Sequence, residues 1–430
     1  MRVVIVSAFF VASVASAQPT RLSMQQAVDV ALKQHPSVRQ SRAAVEAAEG
    51  RIDLAKTPLH PTVTVSASVT AGSSRPMPCE ADMTMTCGGF FDPTASTGLG
   101  AVANWRIWDF GATKARVREA ELNASAIAAS VDTTTLDIRR NVEVAYLEAV
   151  ARQRLVAVSQ ATVQSEEVHL DQARKFVAAQ AKDPIEVVQA QARAANARST
   201  LAQAKSGEAV ALANLRGAIG WADASTAPAV DPQWPVPAEN DPPELAALVE
   251  DARKHRPEIV QLDREILAAQ ASVTSAKADR LPVLSATAQT QWSPGTEDWR
   301  PQPSWSAGLT LSWMLWDGGK SRANVRIAQA GVMSAIAERD ALLVALTTGL
   351  ESARAEIIAN RAAVEASREA VTAAQAQLKL AEARYKQGLG SQIELADAQT
   401  AVTTAEGNLI QAEWQLATAW TSLRRALGTR

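Results

Sequence analysis

The side chains that ordinarily carry chemistry are thinly spread in this chain. Its four histidines, His35, His60, His169 and His255, show no ligand spacing among themselves or towards the two cysteines, so no metal or other cofactor is expected. No nucleophile–base arrangement and no phosphate-binding glycine loop is present, which argues against an enzyme. Two spacings remain. Cys79 and Cys87 would close a small loop if bonded, which an exported chain permits. Glu394 and Asp397 lie about one helical turn apart. Glu186 stands at the position of Glu394 in a copy of the pattern 208 residues earlier, with Gln189 in place of the second acid. Alone, such carboxylates are solvated groups on a helix.

The elements that must position these groups are written twice. Trp108, Asp109 and Gly111 recur as Trp316, Asp317 and Gly319 at an offset of 208. At the same offset Ile185, Ala190 and Gln191 recur as Ile393, Ala398 and Gln399, and Leu215, Arg216 and Gly220 as Leu423, Arg424 and Gly428. Lys33, Pro36 and Pro61 match Lys254, Pro257 and Pro282 at an offset of 221. A duplication of this length overrides the prior of two or three domains that 430 residues would suggest. The repeats are read as 18–220 and 244–430, joined by a proline-rich linker at 221–243.

Residues 1–17 read as a secretory signal: Arg2, an apolar run over 3–14, and the cleavage pattern Ala15-Ser16-Ala17. No cysteine follows that site, so no lipid attachment is expected there. No later apolar run is long enough for a transmembrane helix. The net charge of -2 gives no reason to expect a nucleic-acid partner.

Each copy combines long helices with two short strands. Ser23 is placed to cap a first helix, and Pro36 starts a second that runs to about Lys56. Alternating residues such as Val63, Val65, Ala67 and Val69 predict strands at 61–73 and 97–108. A helix at 112–179 follows, free of proline and glycine, and Asp183-Pro184 opens another at 184–218. The second copy predicts strands at 282–292 and 305–316, a helix at 320–387, a turn through Gly388-Leu389-Gly390 and a helix at 391–427.

The long helix carries two apolar stripes. Ile138, Val142 and Ala149 fall on one, and Leu147, Ala151 and Leu155 on another nearly opposite. Such a helix suits a wall one helix thick, with a neighbour on each side. Arg139, Glu143, Arg152 and Glu166 between the stripes are expected to reach water. The strands have the length of tilted membrane strands, alternate apolar with small polar residues, and have Trp105, Trp292, Trp305 and Trp313 in or beside them, where an aromatic girdle would lie. Four strands cannot close a barrel, and open edges are not tolerated in lipid, so protomers must pool their strands.

With these features the chain resembles the TolC-type outer membrane factor family over essentially its whole mature length. The most specific stretch is 383–399, with Tyr385, Gly388, Leu389 and Gly390, and the repeated Trp-Asp-x-Gly corner is also typical. The resemblance implies a mainly α protein with a membrane β-barrel portion. A homotrimer would form a 12-stranded barrel in outer membrane lipid and a periplasmic α-barrel. It further implies the exit duct of a tripartite efflux pump or type I secretion system, with a periplasmic adaptor and an inner-membrane transporter as partners. Glu394 and Asp397 match acidic rings at the pore mouth, joined by Glu186 in the other copy. Tyr385, with Gly388 and Gly390, matches the gating tip, and Lys182, Asp183, Pro184, Leu389 and Ser391 lie in the turns that dock the adaptor. The family's basic gate partner falls on Gly390, leaving Lys386 or Lys182 to supply that charge. The alternative is a periplasmic coiled-coil adaptor or structural protein, which would lack barrel strands.

Overall fold

The computed structural model describes residues 21–73, 93–222, 228–234, 241–294 and 301–429. The signal segment at 1–17 and the pair Cys79 and Cys87 lie outside the described residues. The chain forms β1 (Arg21–Leu22), α1 (Met24–Gln34), α2 (Pro36–Lys56), β2 (Thr62–Ser73), β3 (Pro93–Trp108), α3 (Ala112–Ala178) and α4 (Ile185–Ile219). It continues with β4 (Ala229–Val230), α5 (Leu245–His255), α6 (Pro257–Ala278), β5 (Val283–Pro294), β6 (Pro301–Ser312), α7 (Lys320–Lys386) and α8 (Gln392–Leu427). Helices α3 and α7 are both 67 residues long, so the duplication preserved the long helix without insertion.

The compact units cut across the duplication. One comprises Met1–Arg42, Val131–Pro257 and Leu343–Arg430; the other comprises Ala43–Ser130 and Glu258–Leu342. Each therefore draws on both copies.

In the first unit, α1 is closed at its start by a capping box. The Ser23 hydroxyl accepts from Gln26 N, and Ser23 N donates to the Gln26 side chain. Its apolar stripe, Ala27, Val28 and Ala31, packs with Ile138, Val142 and Ala149 of α3 and with Ala211, Leu215 and Ile219 of α4. On α3 Leu147 and Ala151 are buried as well, and its polar side chains reach α8: Arg154 to Glu413 at 2.7 Å and Ser165 to Gln399 at 2.7 Å. The two stripes thus meet two different neighbours. Glu143 and Glu166, expected to reach water, are buried instead. Each carboxylate keeps a cation: Glu143 has Arg424 at 3.1 Å and Glu166 has Arg193 at 3.4 Å.

The segment read as a linker is partly structural. Its Ala229 and Val230 pair in parallel with Arg21 and Leu22, and Trp221 and Trp234 pack against the core. Tyr146 ties this pairing down, donating to Leu22 O at 3.0 Å and accepting from Asp231 N at 3.1 Å. A two-residue strand is too short to leave a period-two signature.

The second unit holds an antiparallel sheet of order β2-β3-β5-β6. Two strands extend earlier than the sequence reading. β3 begins at Pro93, opposite Ser73, and β6 occupies Pro301–Ser312, where 305–316 was expected. Pairing explains the shift, because Ser312 lies opposite Val283, the first residue of β5, so Trp313 to Trp316 have no partner strand to continue against. Trp313 turns its indole N–H to Arg280 O at 3.1 Å. Trp105, its counterpart in the first copy, does the same to Leu59 O at 3.0 Å.

Each strand-to-helix corner is held by an aspartate. Asp109 accepts from Gly111 N at 3.2 Å and Thr113 N at 2.8 Å, and also from the Thr113 hydroxyl. Asp317 accepts from Gly319 N at 3.0 Å and Ser321 N at 2.7 Å, and from the Ser321 hydroxyl. This satisfies otherwise unpaired N–H groups at the start of each long helix.

Candidate functional site

The helical hairpins α3–α4 and α7–α8 turn at equivalent places. At the end of α3, Gln180 N donates to Val177 O and Ala181 N to Phe176 O; at the end of α7, Gly388 N donates to Tyr385 O and Leu389 N to Arg384 O. Both are helix ends with one residue in the left-handed region. Gly388 has φ +75°, which costs glycine little, whereas Gln180, at the same place in the other copy, has φ +55°. Gln180→Gly is therefore expected to stabilise the first turn by about 1 kcal/mol. Slower hydrogen exchange of its amides would register this, and unchanged or faster exchange would contradict it.

The following helices are capped by side chains. Asp183 Oδ1 accepts from Ile185 N at 2.9 Å, and Ser391 Oγ accepts from Glu394 N at 3.1 Å. Between the turns stands Tyr385, 1% exposed. Its ring packs edge-on against Phe176 at 5.6 Å between centroids, and its hydroxyl donates to Glu186 Oε2 at 3.1 Å. Lys182 completes the cluster. Its Nζ lies 3.5 Å from Glu186 Oε1, 3.4 Å from Gly390 O and 5.6 Å from the centre of the Tyr385 ring.

Burial, followed by the facing Glu186 carboxylate, pushes the Tyr385 hydroxyl up to about 12. Burial also raises Tyr146, the other tyrosine of the chain. With the ordinary value near 10, the sign is fixed. The Tyr385 contribution to stability is fully present below pH 10 and is lost as the pH rises towards about 12. An absorbance titration of the folded protein should show less than half of its phenol ionised at pH 10, with the Tyr385 step only towards about 12. Half-ionisation of both tyrosines at pH 10 would contradict this.

Gly390 is tightly enclosed. An added Cβ would lie 3.0 Å from Tyr385 N and 3.2 Å from Arg384 C, both backbone atoms. A basic side chain at this position would crowd the backbone at the end of α7. Lys182, at the equivalent position of the other copy, places its ammonium 3.4 Å from the Gly390 carbonyl. Lys386, the other option, pairs with Glu382 at 3.5 Å.

The three acids are not equivalent. Glu186 is largely buried and engaged by Tyr385 and Lys182, apart from the more exposed Glu394 and Asp397. Glu394 pairs with Arg384 at 3.1 Å across its own turn, and Asp397 is exposed with no ion pair among the described residues. Leu389 is exposed at the turn, as are Ile185 and Ile393 at equivalent places after the two turns. Phe176, Arg384 and Arg193 were not singled out from sequence. Their signal was only their place on α3, α7 and α4 within reach of Tyr385 and the two carboxylates Glu394 and Glu166.

In the sheet, register sorts the side chains by face. Val63 faces Ala103, Val65 faces Ala101 and Ala67 faces Leu99. Trp105 faces Ala286, which faces Leu309, and Ala288 faces Ala307. Residues directly opposite in antiparallel strands project to the same side, so this side is apolar. The other side carries Ser66 opposite Gly100, Asn104 opposite Thr287, and Gln289 opposite Ser306. Thr290 on the apolar side and Val102 on the polar side are the exceptions in the central rungs. The apolar side is uncovered: Val69 is 79% exposed, Leu309 69% and Trp305 81%. Trp105 and Trp313 sit near the helix-facing end of the sheet, and Trp292 and Trp305 towards the other. Trp108 and Trp316, not named as interface residues from sequence, are exposed too, and a bulge between Arg106 and Trp108 brings Trp108 opposite Leu284 on the apolar side. Their signal was the repeated Trp-Asp-x-Gly corner.

An exposed apolar face backed by a polar one defines membrane strands that enclose a wet interior, here joined to long helices: the architecture of an export channel. The chain belongs to the outer membrane efflux protein family, whose model matches residues 27–221 and 248–429. It is similar to Protein CyaE of Bordetella pertussis, with 30% identity over 413 residues, 95% of this chain and 84% of that one. It is also similar to outer membrane protein OprJ of Pseudomonas aeruginosa, with 27% identity over 416 residues, covering 94% and 84%. In fold it matches the Campylobacter jejuni CmeC outer membrane channel, with a TM-score of 0.79 at 16% identity, covering 94% and 85%. The protein is an outer-membrane efflux channel with a TolC-like fold that extends into the periplasm, and it is not an enzyme.

Proposed function

We propose that three copies of this chain assemble into one passive exit duct, which a periplasmic adaptor joins to an energised inner-membrane transporter. The observation that carries this reading is the four-stranded sheet, apolar on one face and polar on the other, with β2 and β6 as its outer strands. Each outer strand has a row of unpaired N–H and C=O groups, which lipid does not tolerate. Pairing β6 of one protomer with β2 of the next removes both edges, and three protomers give 12 strands.

The tips close the duct at its periplasmic end. The buried contact of Tyr385 with Glu186 and Lys182 ties α7 to α4 within a protomer, and the turns at Gly388 and Gly390 shape the gate. Glu394 and Asp397 of three protomers line the mouth as acidic rings and select cations. Glu186 supports the gate from behind. The adaptor docks on the two turns, at Lys182, Asp183, Pro184, Leu389 and Ser391, where exposed Leu389 offers an apolar anchor. Trp105, Trp292, Trp305 and Trp313 anchor the barrel at its two interfaces.

The test is the selectivity of the reconstituted channel. Removing both carboxylates with Glu394→Ala and Asp397→Ala should lower cation over anion selectivity several-fold in planar bilayers and relieve block by multivalent cations. Unchanged reversal potentials would remove both residues from the pore mouth.

A further inference from the structure

At the helix-facing end of the sheet the second copy carries a hollow of about 550 Å³. One wall is the segment between β6 and α7: Trp313, Met314, Leu315 and Trp316, each 58–85% exposed. Arg280, Lys320 and Arg322 also line it. Among the described residues, none of these three cations makes an ion pair. The two carboxylates at the rim are engaged elsewhere, Asp279 with Arg116 and Asp317 with the first turn of α7. The hollow therefore offers positive charge beside an apolar wall.

The first copy lacks this combination. Its corner reads Trp105-Arg106-Ile107-Trp108, and Arg106 is drawn to Asp109 at 3.8 Å. Lys114 matches Arg322, but where the second copy has Arg280 and Lys320, the first has Leu59 and Ala112. The feature is thus not a by-product of the shared fold.

We infer that this hollow binds an anionic phospholipid of the periplasmic leaflet. The apolar side of β6, through Leu309 and Leu311, leads into the wall, so an acyl chain lying on that side brings its headgroup to the hollow. There the phosphate meets Arg280, Lys320 and Arg322, and Trp313 and Trp316 hold the glycerol level. The apolar wall selects a lipid over free phosphate, which would leave it wet. Three cations select an anionic lipid over a neutral one. The inference rests on the sheet lying in the outer membrane and is independent of how the tip closes.

The experiment is native mass spectrometry of the full mature protein, extracted in detergent and equilibrated with phosphatidylglycerol or phosphatidylcholine of matched acyl chains. The intact protein should retain phosphatidylglycerol about tenfold better. The variant Arg280→Gln, Lys320→Gln, Arg322→Gln should lose that preference while phosphatidylcholine retention and assembly stay the same. No preference in the unaltered protein would overturn the inference without reference to any variant. So would displacement of the lipid by millimolar inorganic phosphate, which marks a simple anion site. A variant that weakens assembly but keeps the lipid preference would assign the hollow to a neighbouring copy and overturn it as well. Lost lipid preference in a variant that still inserts and conducts leaves the channel reading intact.

Discussion

Ala307→Arg is expected to abolish recovery of the channel from the outer membrane, whereas Ser306→Arg is expected to be tolerated. The two residues are neighbours in the middle of β6 at the same depth, and only their faces differ. Ala307 lies opposite Ala288 on the apolar side, and Ser306 opposite Gln289 on the polar side. A guanidinium facing lipid near the midplane costs about 2–4 kcal/mol per strand. Over the three protomers proposed above, this reaches the order of the whole stability of a folded domain, about 5–15 kcal/mol. The same charge facing a wet lumen costs little. Quantitative immunoblots of outer-membrane fractions compare the two variants directly. Equal recovery of both, or loss of only Ser306→Arg, would invert or remove the assignment of faces.

Tyr385→Ala is expected to open the tip. The ring is buried among Ala381, Leu395, Ala398 and Phe176, and its removal leaves a cavity that costs roughly 3–5 kcal/mol. It also deprives Glu186 of a donor and Lys182 of the ring beneath it. Tyr385→Phe keeps the packing and loses only the hydrogen bond to the Glu186 carboxylate, a change of about 1.5–3 kcal/mol. Single-channel conductance in planar bilayers should therefore rise several-fold in Tyr385→Ala and only slightly in Tyr385→Phe. Equal conductance in all three proteins would show that Tyr385 has no part in closing the duct.

The sheet was legible because its signal is local. Val63, Val65, Ala67 and Val69 alternate with hydroxyl residues, and alternation by itself assigns faces. The end of β6 was not legible. Trp313 to Trp316 are as apolar as the strand before them, and what stops the strand is the start of its partner at Val283, a fact of pairing across the hairpin. Glu143 and Glu166 were misjudged for a related reason. A carboxylate reads as solvated until the helix that brings its arginine is in place, and Arg424 lies 281 residues from Glu143. At the tip, the resemblance named Tyr385 but left its partner open. Lys182 is the counterpart of Gly390, 208 residues earlier, and the contact of its ammonium with the Gly390 carbonyl is not readable until the two turns are brought together. Gln180 gave no hint of its left-handed backbone because only its counterpart, Gly388, carries the glycine that such a turn prefers.

The central claim is that one chain supplies a third of a closed barrel, and the mass of the assembled particle tests it most directly. Protein extracted from outer membranes in mild detergent, unheated, and weighed by native mass spectrometry should contain three chains and fall to one on heating. A particle of one chain that still conducts would contradict the account, because four strands with two open edges would then have to span the membrane alone.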